Sequence, residues 1–236
     1  MSQRRFHIPT SVLALPVLVA CVSCAAVKGM FPASSDGDVA FVQVDDLVGR
    51  IERIHVDCEL AGQNIAATSE SLRTMVGPEF IGEPEFAHAD LVAAIELSER
   101  QAEDMRSDFK KMESSAKRVF AQWEKNLESF SSDSMREHSA ERLQSMRERY
   151  DSVLTVVGPA MEGYFTFNAS VRDHALYLGT AFNEESVSLV EKELRKLFRT
   201  AESLTGDFEQ CTDACQSYVR KSALRGQVVP RGRRSV

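Results

Sequence analysis

Apolar or small side chains recur along the chain at alternating steps of three and four residues. The first such segment runs through Val44, Leu47, Ile51, Ile54, Cys58, Ala61, Ile65, Thr68, Leu72 and Met75. This heptad spacing places one stripe along a helix that packs lengthwise against other helices. Gly77 and Pro78 follow the stripe and predict the end of the first helix.

Three further segments repeat the pattern, and we call each of the four stripes a seam. The second seam comprises Leu91, Ile95, Ser98, Ala102, Met105, Phe109, Met112, Ala116, Val119, Trp123, Leu127 and Phe130. The third comprises Leu143, Met146, Tyr150, Val153, Val157, Met161, Tyr164, Val171, Ala175 and Leu178. The fourth comprises Val187, Val190, Leu194, Leu197, Ala201, Leu204, Phe208, Cys211, Cys215 and Tyr218. Polar residues at 131–134 and at Asn183 predict the caps of the third and fourth helices.

Four long helices with short connections predict an all-α fold over residues 44–222. The expected architecture is an antiparallel, up-down-up-down four-helix bundle, equivalent to a coiled-coil rod. The third seam continues past Gly158 and Pro159. We therefore expect a kink near Pro159 instead of a helix end, because proline removes one backbone hydrogen bond within a helix.

The N-terminal 20 residues read as a bacterial lipoprotein signal peptide. Arg4 and Arg5 precede a short apolar stretch that is too short to span a bilayer. The sequence Leu-Val-Ala-Cys ending at Cys21 is similar to a lipobox, in which the cysteine thiol is acylated and the chain is cut just before it. Cys21 is thus the predicted lipid anchor, and Cys24 fits the pattern less well. The alternative is an uncleaved or ordinarily cleaved signal.

The segments that flank the helical region predict a tether and a tail. Residues 21–43 are rich in small residues, proline and glycine, and we expect a flexible tether there. Residues 223–236 carry four arginines and no acidic residue, and we expect a short, basic, disordered tail.

The protein has a net negative charge. Loss of residues 1–20 would remove Arg4 and Arg5 and no acid, which leaves 26 basic against 35 acidic side chains. Nucleic acid is therefore not an expected partner, since binding phosphates requires a basic face. Val22 after the anchor is not the aspartate that retains many lipoproteins at the inner membrane, and this favours the periplasmic face of the outer membrane.

Three cysteines fall on the seams of helices that are neighbours in such a bundle. Cys58 lies about two heptads into the first helix, and Cys211 and Cys215 lie one to two heptads from the end of the fourth. Three interpretations stay open: unpaired core thiols, a disulfide from Cys58 to Cys211 or Cys215, or a structural metal site formed by His55 and the three thiols.

An aromatic group follows the predicted kink. It comprises Tyr164, Phe165, Phe167 and Tyr177. Such a group more often belongs to a core than to a pocket for an apolar ligand. No signature of nucleophilic or phosphate chemistry occurs in the sequence, so we expect no enzymatic activity and no cofactor.

The chain also resembles an uncharacterised family of bacterial coiled-coil envelope lipoproteins, known as a domain of unknown function. The resemblance rests on two stretches, AQWEKNLESF and SAERLQSMRERYDSVL. Its most recognisable points are Trp123-Glu124 and Tyr150-Asp151. The similarity extends from about Val44 to Tyr218, although VVGPAMEGYFTFNASV replaces the charged third helix that the family implies. The resemblance implies an envelope location and helical hairpins, and it implies no activity, cofactor or catalytic residue.

Together these observations predict a membrane-anchored lipoprotein. Its helical bundle would act as an envelope scaffold, a spacer or a protein-interaction module that binds a protein partner or associates with itself through its helices. The alternative function is binding of a small ligand or a metal, at the kink or at the Cys58, Cys211 and Cys215 cluster.

Overall fold

The computed structural model describes residues 36–222, which form five α-helices without a β-strand. The helices are α1 (Asp36–Val76), α2 (Pro84–Leu127), α3 (Asp133–Thr180), α4 (Glu184–Leu189) and α5 (Glu191–Ser222). The predicted all-α bundle is confirmed. None of these five helices combines the length and the apolar character that crossing a membrane requires. The signal peptide at 1–20 and the basic tail at 223–236 lie outside the described residues.

The four long helices form a closed ring of neighbours. α1 packs against α2 and α5, and α3 packs against the same two helices. As residue numbers increase along one helix, the residues that they contact on the neighbouring helix decrease in number. Asp46 of α1 forms a hydrogen bond with Ser115 of α2, and Thr68 forms one with Ala94. Contacts between the other neighbouring pairs show the same reversal. Adjacent helices therefore run in opposite directions.

The seams form the core of this bundle. Every position of the first seam is buried except Val44, which is half-buried. The third seam is buried throughout, and Tyr164, Phe167, Phe208 and Tyr218 are the largest fully buried side chains. Burying each such side chain contributes about 1.5 to 3 kcal/mol relative to leaving it exposed, so the seams hold the fold together.

The helix starts follow the local chemistry of the sequence. Pro84 occupies the first turn of α2, where its missing N–H costs nothing. Ser132 Oγ accepts a hydrogen bond from Met135 N at the start of α3, and Asn183 Oδ1 accepts one from Ser186 N at 2.9 Å at the start of α4. The predicted caps of the third and fourth helices are confirmed.

Two predicted boundaries differ from the structure. The fourth helix is not continuous from Asn183, because the chain breaks at Val190 into the six-residue α4 and the long α5. The broken stretch contains valine and serine, which are weaker helix formers than the glutamate, lysine and leucine that open α5. At the other end of the bundle α1 begins at Asp36, so residues 36–43 of the predicted tether are helical.

Helix α3 continues through Pro159, as the seam indicated. Proline has no N–H for the Thr155 carbonyl, four residues earlier. A groove of about 420 Å³ lies beside it between α3 and α5, and its lining includes Thr155, Pro159 and Gly163. The four aromatic residues that we considered for a pocket at this point do not line the groove. Tyr164 and Phe167 are core side chains instead.

Candidate functional site

The three described cysteines meet in the interior where α1 faces α5. Two contacts bracket Cys58 and Cys211: His55 Nδ1 lies 3.3 Å from the Thr212 carbonyl oxygen, and Gly62 faces Phe208. Cys215 lies one helical turn beyond Cys211, and the Cys58 thiol is within hydrogen-bonding distance of both. All three side chains are fully buried and are free thiols in the structure.

The surroundings of Cys58 in this thiol cluster disfavour ionisation of its side chain. Hydrogen bonds with the Cys211 and Cys215 side chains, together with burial, raise the pKa of the Cys58 thiol far above its ordinary value. A thiol attacks disulfides and binds metals as the thiolate. The Cys58 thiol is therefore a poor nucleophile and a poor metal ligand in the folded bundle at neutral pH.

The metal site proposed from His55 and the three cysteines is not assembled. The His55 ring instead contacts the Thr212 carbonyl through Nδ1 and lies 3.6 Å from Glu59 Oε1 through Nε2. Within residues 36–222, no group of three or more histidine, cysteine, aspartate or glutamate side chains is arranged to hold a metal ion. The i,i+3 spacing puts His55 and Cys58 on neighbouring turns of α1, but this spacing does not determine the orientation of the His55 ring.

A buried polar layer lies next to the thiol cluster and joins three helices. Ser98 Oγ lies 2.9 Å from Tyr164 Oη and 2.7 Å from Asn168 Oδ1. Asn64 of α1 bonds the same tyrosine, and burial raises the pKa of the Tyr164 hydroxyl. Phe208 of α5 packs edge-on against the Tyr164 ring at 5.6 Å between centroids. All four long helices thus converge on Tyr164.

Sequence reasoning missed Asn168, although a signal for it exists. The third seam jumps from Tyr164 to Val171, and Phe167 and Asn168 fill that gap at steps of three and four. Both are buried, and the Nδ2 atom of Asn168 has no hydrogen-bond partner among the described residues.

Asp57 is a second buried polar residue that the sequence did not reveal. It is 6% exposed, and its Oδ1 accepts a hydrogen bond from Gln101 Nε2 at 3.2 Å, while its Oδ2 has no partner among the described residues. Burial raises the pKa of this carboxyl to about 6, against the lowering effect of the Gln101 hydrogen bond; the nearby Asp108 and Asp104 also raise it.

One end of the bundle carries a different kind of surface. We define the loop end as residues 77–90, which comprise the α1–α2 connection and the start of α2, together with residues 175–189, which comprise the end of α3, the next connection and α4. Phe80 and Phe182 pack edge-on at 5.8 Å between ring centroids and hold the two stretches together. His88 Nε2 lies 2.9 Å from the Ala175 carbonyl oxygen, against Gly179.

Apolar side chains at the loop end are exposed. Ile81 is 97% exposed and Phe86 is 73% exposed, and Leu176 and Leu189 are each 69% exposed. The loop end also contains six aspartate and glutamate residues and neither lysine nor arginine. Exposed apolar side chains on an acidic stretch of the fold are typical of a contact surface for a partner with apolar and basic groups.

A second groove, of about 730 Å³, lies between α2 and α3. Its lining includes Glu99, Phe165 and Arg172. Glu99 and Arg172 form an ion pair across the two helices, and the Arg106 guanidinium lies 3.6 Å from the centre of the Phe165 ring. Exposed charges already paired in this way contribute little to binding. The predicted anchor Cys21 lies outside the described residues.

Comparisons with curated proteins and with solved structures gave no match. A family model matches residues 39–222, which covers all but the first three residues of the bundle and includes the stretches 121–130 and 139–154 that carried the resemblance. The match confirms that the resemblance is to an uncharacterised family. The chain belongs to the family described as a protein of unknown function, DUF2959.

Proposed function

We propose that the protein is a bacterial envelope lipoprotein, held on the periplasmic face of the outer membrane by an acylated Cys21. Its helical bundle acts as a scaffold, a spacer or a protein-interaction module. The observation that carries the proposal is the loop end, where four large apolar side chains are each at least 69% exposed within a short stretch of the fold. Exposed apolar surface of this kind marks a contact surface in soluble domains.

The shape of α1 supports a spacer. Its 41 residues span about 60 Å at 1.5 Å per residue, from Asp36 to Val76. The chain enters the bundle at Asp36 and reaches the loop end only after this distance. A partner bound at the loop end would contact the protein about one helix length from the point where the chain joins the bundle.

The charge of the loop end indicates the class of partner. Six carboxylates without a lysine or arginine repel phosphates and attract basic groups. The same charge opposes contact between the loop ends of two copies. A protein that presents apolar and basic side chains fits this surface, whereas nucleic acid does not.

The lipobox at Cys21 supports the membrane attachment. A single acyl chain gives marginal, reversible binding at about 0.8 kcal/mol per buried methylene. Two or three chains, as the lipobox implies, would hold the protein on the bilayer permanently. Val22 after the cysteine supports the outer membrane in an organism that sorts lipoproteins by that position.

The proposal is tested by membrane fractionation and intact mass of the full chain expressed in a bacterium. We expect the wild type to start at Cys21, to carry acyl chains and to sediment with the outer membrane. The Cys21→Ser variant should lose the acyl mass and leave the membrane fraction, and the matched Cys24→Ser variant should behave as the wild type. A wild-type protein that is unprocessed or soluble would overturn the proposal.

A further inference from the structure

The thiol cluster joins two helices that are far apart in sequence. Cys58 lies in α1, and Cys211 and Cys215 lie in α5, on opposite sides of one interior contact. The contact of His55 with Thr212 on one side and of Gly62 with Phe208 on the other places Cys58 level with Cys211, independently of the cysteines themselves. The Cys58 thiol is within hydrogen-bonding distance of both the Cys211 and the Cys215 side chains. These side chains therefore face one another in the fold.

Two of the three pairings cross between helices, and one does not. Cys211 and Cys215 are separated by four residues on α5, which is unbroken from Glu191 to Ser222. Side chains at this spacing leave a regular helix in nearly parallel directions and meet the disulfide dihedral of about 90° poorly. Cys58 approaches both from the facing helix, and its thiol is within hydrogen-bonding distance of each.

We propose that Cys58 forms a disulfide with Cys211 or Cys215 that links α1 to α5, and that the third thiol stays reduced beside it. The cluster is then a covalent link between the two helices in which Cys58 has two alternative partners. The inference rests on the proposed envelope location, because that compartment is oxidising, but not on the acylation of Cys21.

The oxidant is a disulfide, either a protein disulfide or oxidised glutathione. One cysteine attacks it as a thiolate and forms a mixed disulfide, and the second cysteine displaces the oxidant's remaining sulfur. Two protons leave the cysteines and two electrons pass to the oxidant, which is released as two thiols. The third thiol can attack the new bond and exchange one partner for the other without net oxidation.

Burial decides when the reaction occurs. The three thiols are fully buried, so an oxidant does not reach them in the folded bundle. The pKa of the Cys58 thiol is also raised, which keeps this thiol protonated in the folded bundle. The bond therefore forms while the chain folds, and the folded reduced protein oxidises slowly.

The test uses the full chain with Cys21→Ser and Cys24→Ser, which leaves only the three thiols of the cluster. The reduced protein is unfolded in denaturant and refolded in a glutathione redox buffer. We expect a mass about 2 Da lower than that of the reduced protein and one titratable thiol instead of three. Tandem mass spectrometry should find Cys58 linked to Cys211 or Cys215.

Three variants on this background separate the pairings. Cys211→Ala and Cys215→Ala should each still close a bridge to Cys58, whereas Cys58→Ala should refold with two free thiols. The bridged protein should melt about 10 °C above the same protein after reduction. A circular dichroism spectrum verifies that each variant remains helical.

Two outcomes would overturn the inference. One is a refolded protein that keeps three titratable thiols in a buffer that oxidises a reference dithiol. The other is a bridge that maps to Cys211 and Cys215 alone. The mapping is made on the three-thiol chain itself, so it decides the question even where the Cys58→Ala variant fails to fold.

Discussion

Phe86 and Leu91 are apolar residues of the same helix, five positions apart, yet Phe86 is exposed and Leu91 is fully buried. Leu91 begins the seam of α2 and joins the core cluster formed with the neighbouring helices. Phe86 lies in the first turn at the loop end, where no described element covers it. Five of the ten large apolar side chains that are exposed in residues 36–222 lie at the loop end, whereas most seam positions are buried. This contrast separates residues that stabilise the fold from those available to a partner.

The largest contrast in stability should appear between two tyrosines of α3. Tyr164→Ala should lower the free energy of unfolding by about 3 to 5 kcal/mol, because it opens a cavity and removes a hydrogen-bond partner of Ser98. Tyr177→Ala, at the partly exposed loop end, should cost under about 1 kcal/mol. Denaturant unfolding followed by circular dichroism compares them, and equal losses would contradict the division between interior and loop end.

Replacing glycine by alanine should lower the stability of the protein at the loop end and raise it in α5. A Cβ at Gly179 would lie 2.6 Å from His88 Nε2, so Gly179→Ala must displace the ring that contacts the Ala175 carbonyl. We expect a loss of about 1 to 2 kcal/mol. Gly206 of α5 has open space, and Gly206→Ala should stabilise the protein by about 0.5 to 1 kcal/mol through helix propensity.

A double-mutant cycle with His88→Ala sharpens this test. Removing the ring should relieve the Gly179→Ala clash, so the two losses should not add. Additive losses, or a Gly179→Ala protein that is stabilised as Gly206→Ala is, would show that the contact does not constrain the loop end.

The buried carboxyl of Asp57 should make stability depend on pH. Its folded pKa of about 6 lies above the ordinary 3.8, so the folded state favours the protonated form. The stability that this group supplies when protonated is lost as the pH rises from about 4 to 6. Asp57→Asn cannot ionise and should raise the free energy of unfolding at pH 7 by about 1 to 2 kcal/mol, with little change at pH 4. Unfolding curves at both pH values decide this, and an equal gain at both would point to packing instead of charge.

The smallest effect on stability is expected at the surface proposed for a partner. Ile81→Ser combined with Phe86→Ser should change the free energy of unfolding by less than about 0.5 kcal/mol, since both side chains are exposed. The same pair should abolish partner crosslinking in living cells. Leu97→Ser with Met135→Ser, two exposed residues away from the loop end, serves as the matched control. Crosslinks that survive the loop-end pair would remove this surface from the proposed function.

The helical segments were predictable because each seam repeats within a few residues. The steps of three and four that mark α1, α2 and α3 come from the helix period alone, and the Ser132 and Asn183 caps are equally local. The break at Val190 was not visible, because its seam residues continue in register from α4 into α5. The start of α1 at Asp36 was missed because the seam begins only at Val44.

The sequence by itself determined that the chain forms long amphipathic helices, that the cysteines lie on their apolar faces and that the loop end is acidic. The tertiary structure decided which of these residues meet. Three features depend on how far one helix is shifted and rotated against the next. They are the position of Cys58 at the level of Cys211 and Cys215, the orientation of His55 away from these thiols, and the burial of Asp57. A seam repeats every seven residues, so several shifts satisfy it equally well. Packing around side chains such as Tyr164 and Phe208 selects one of them.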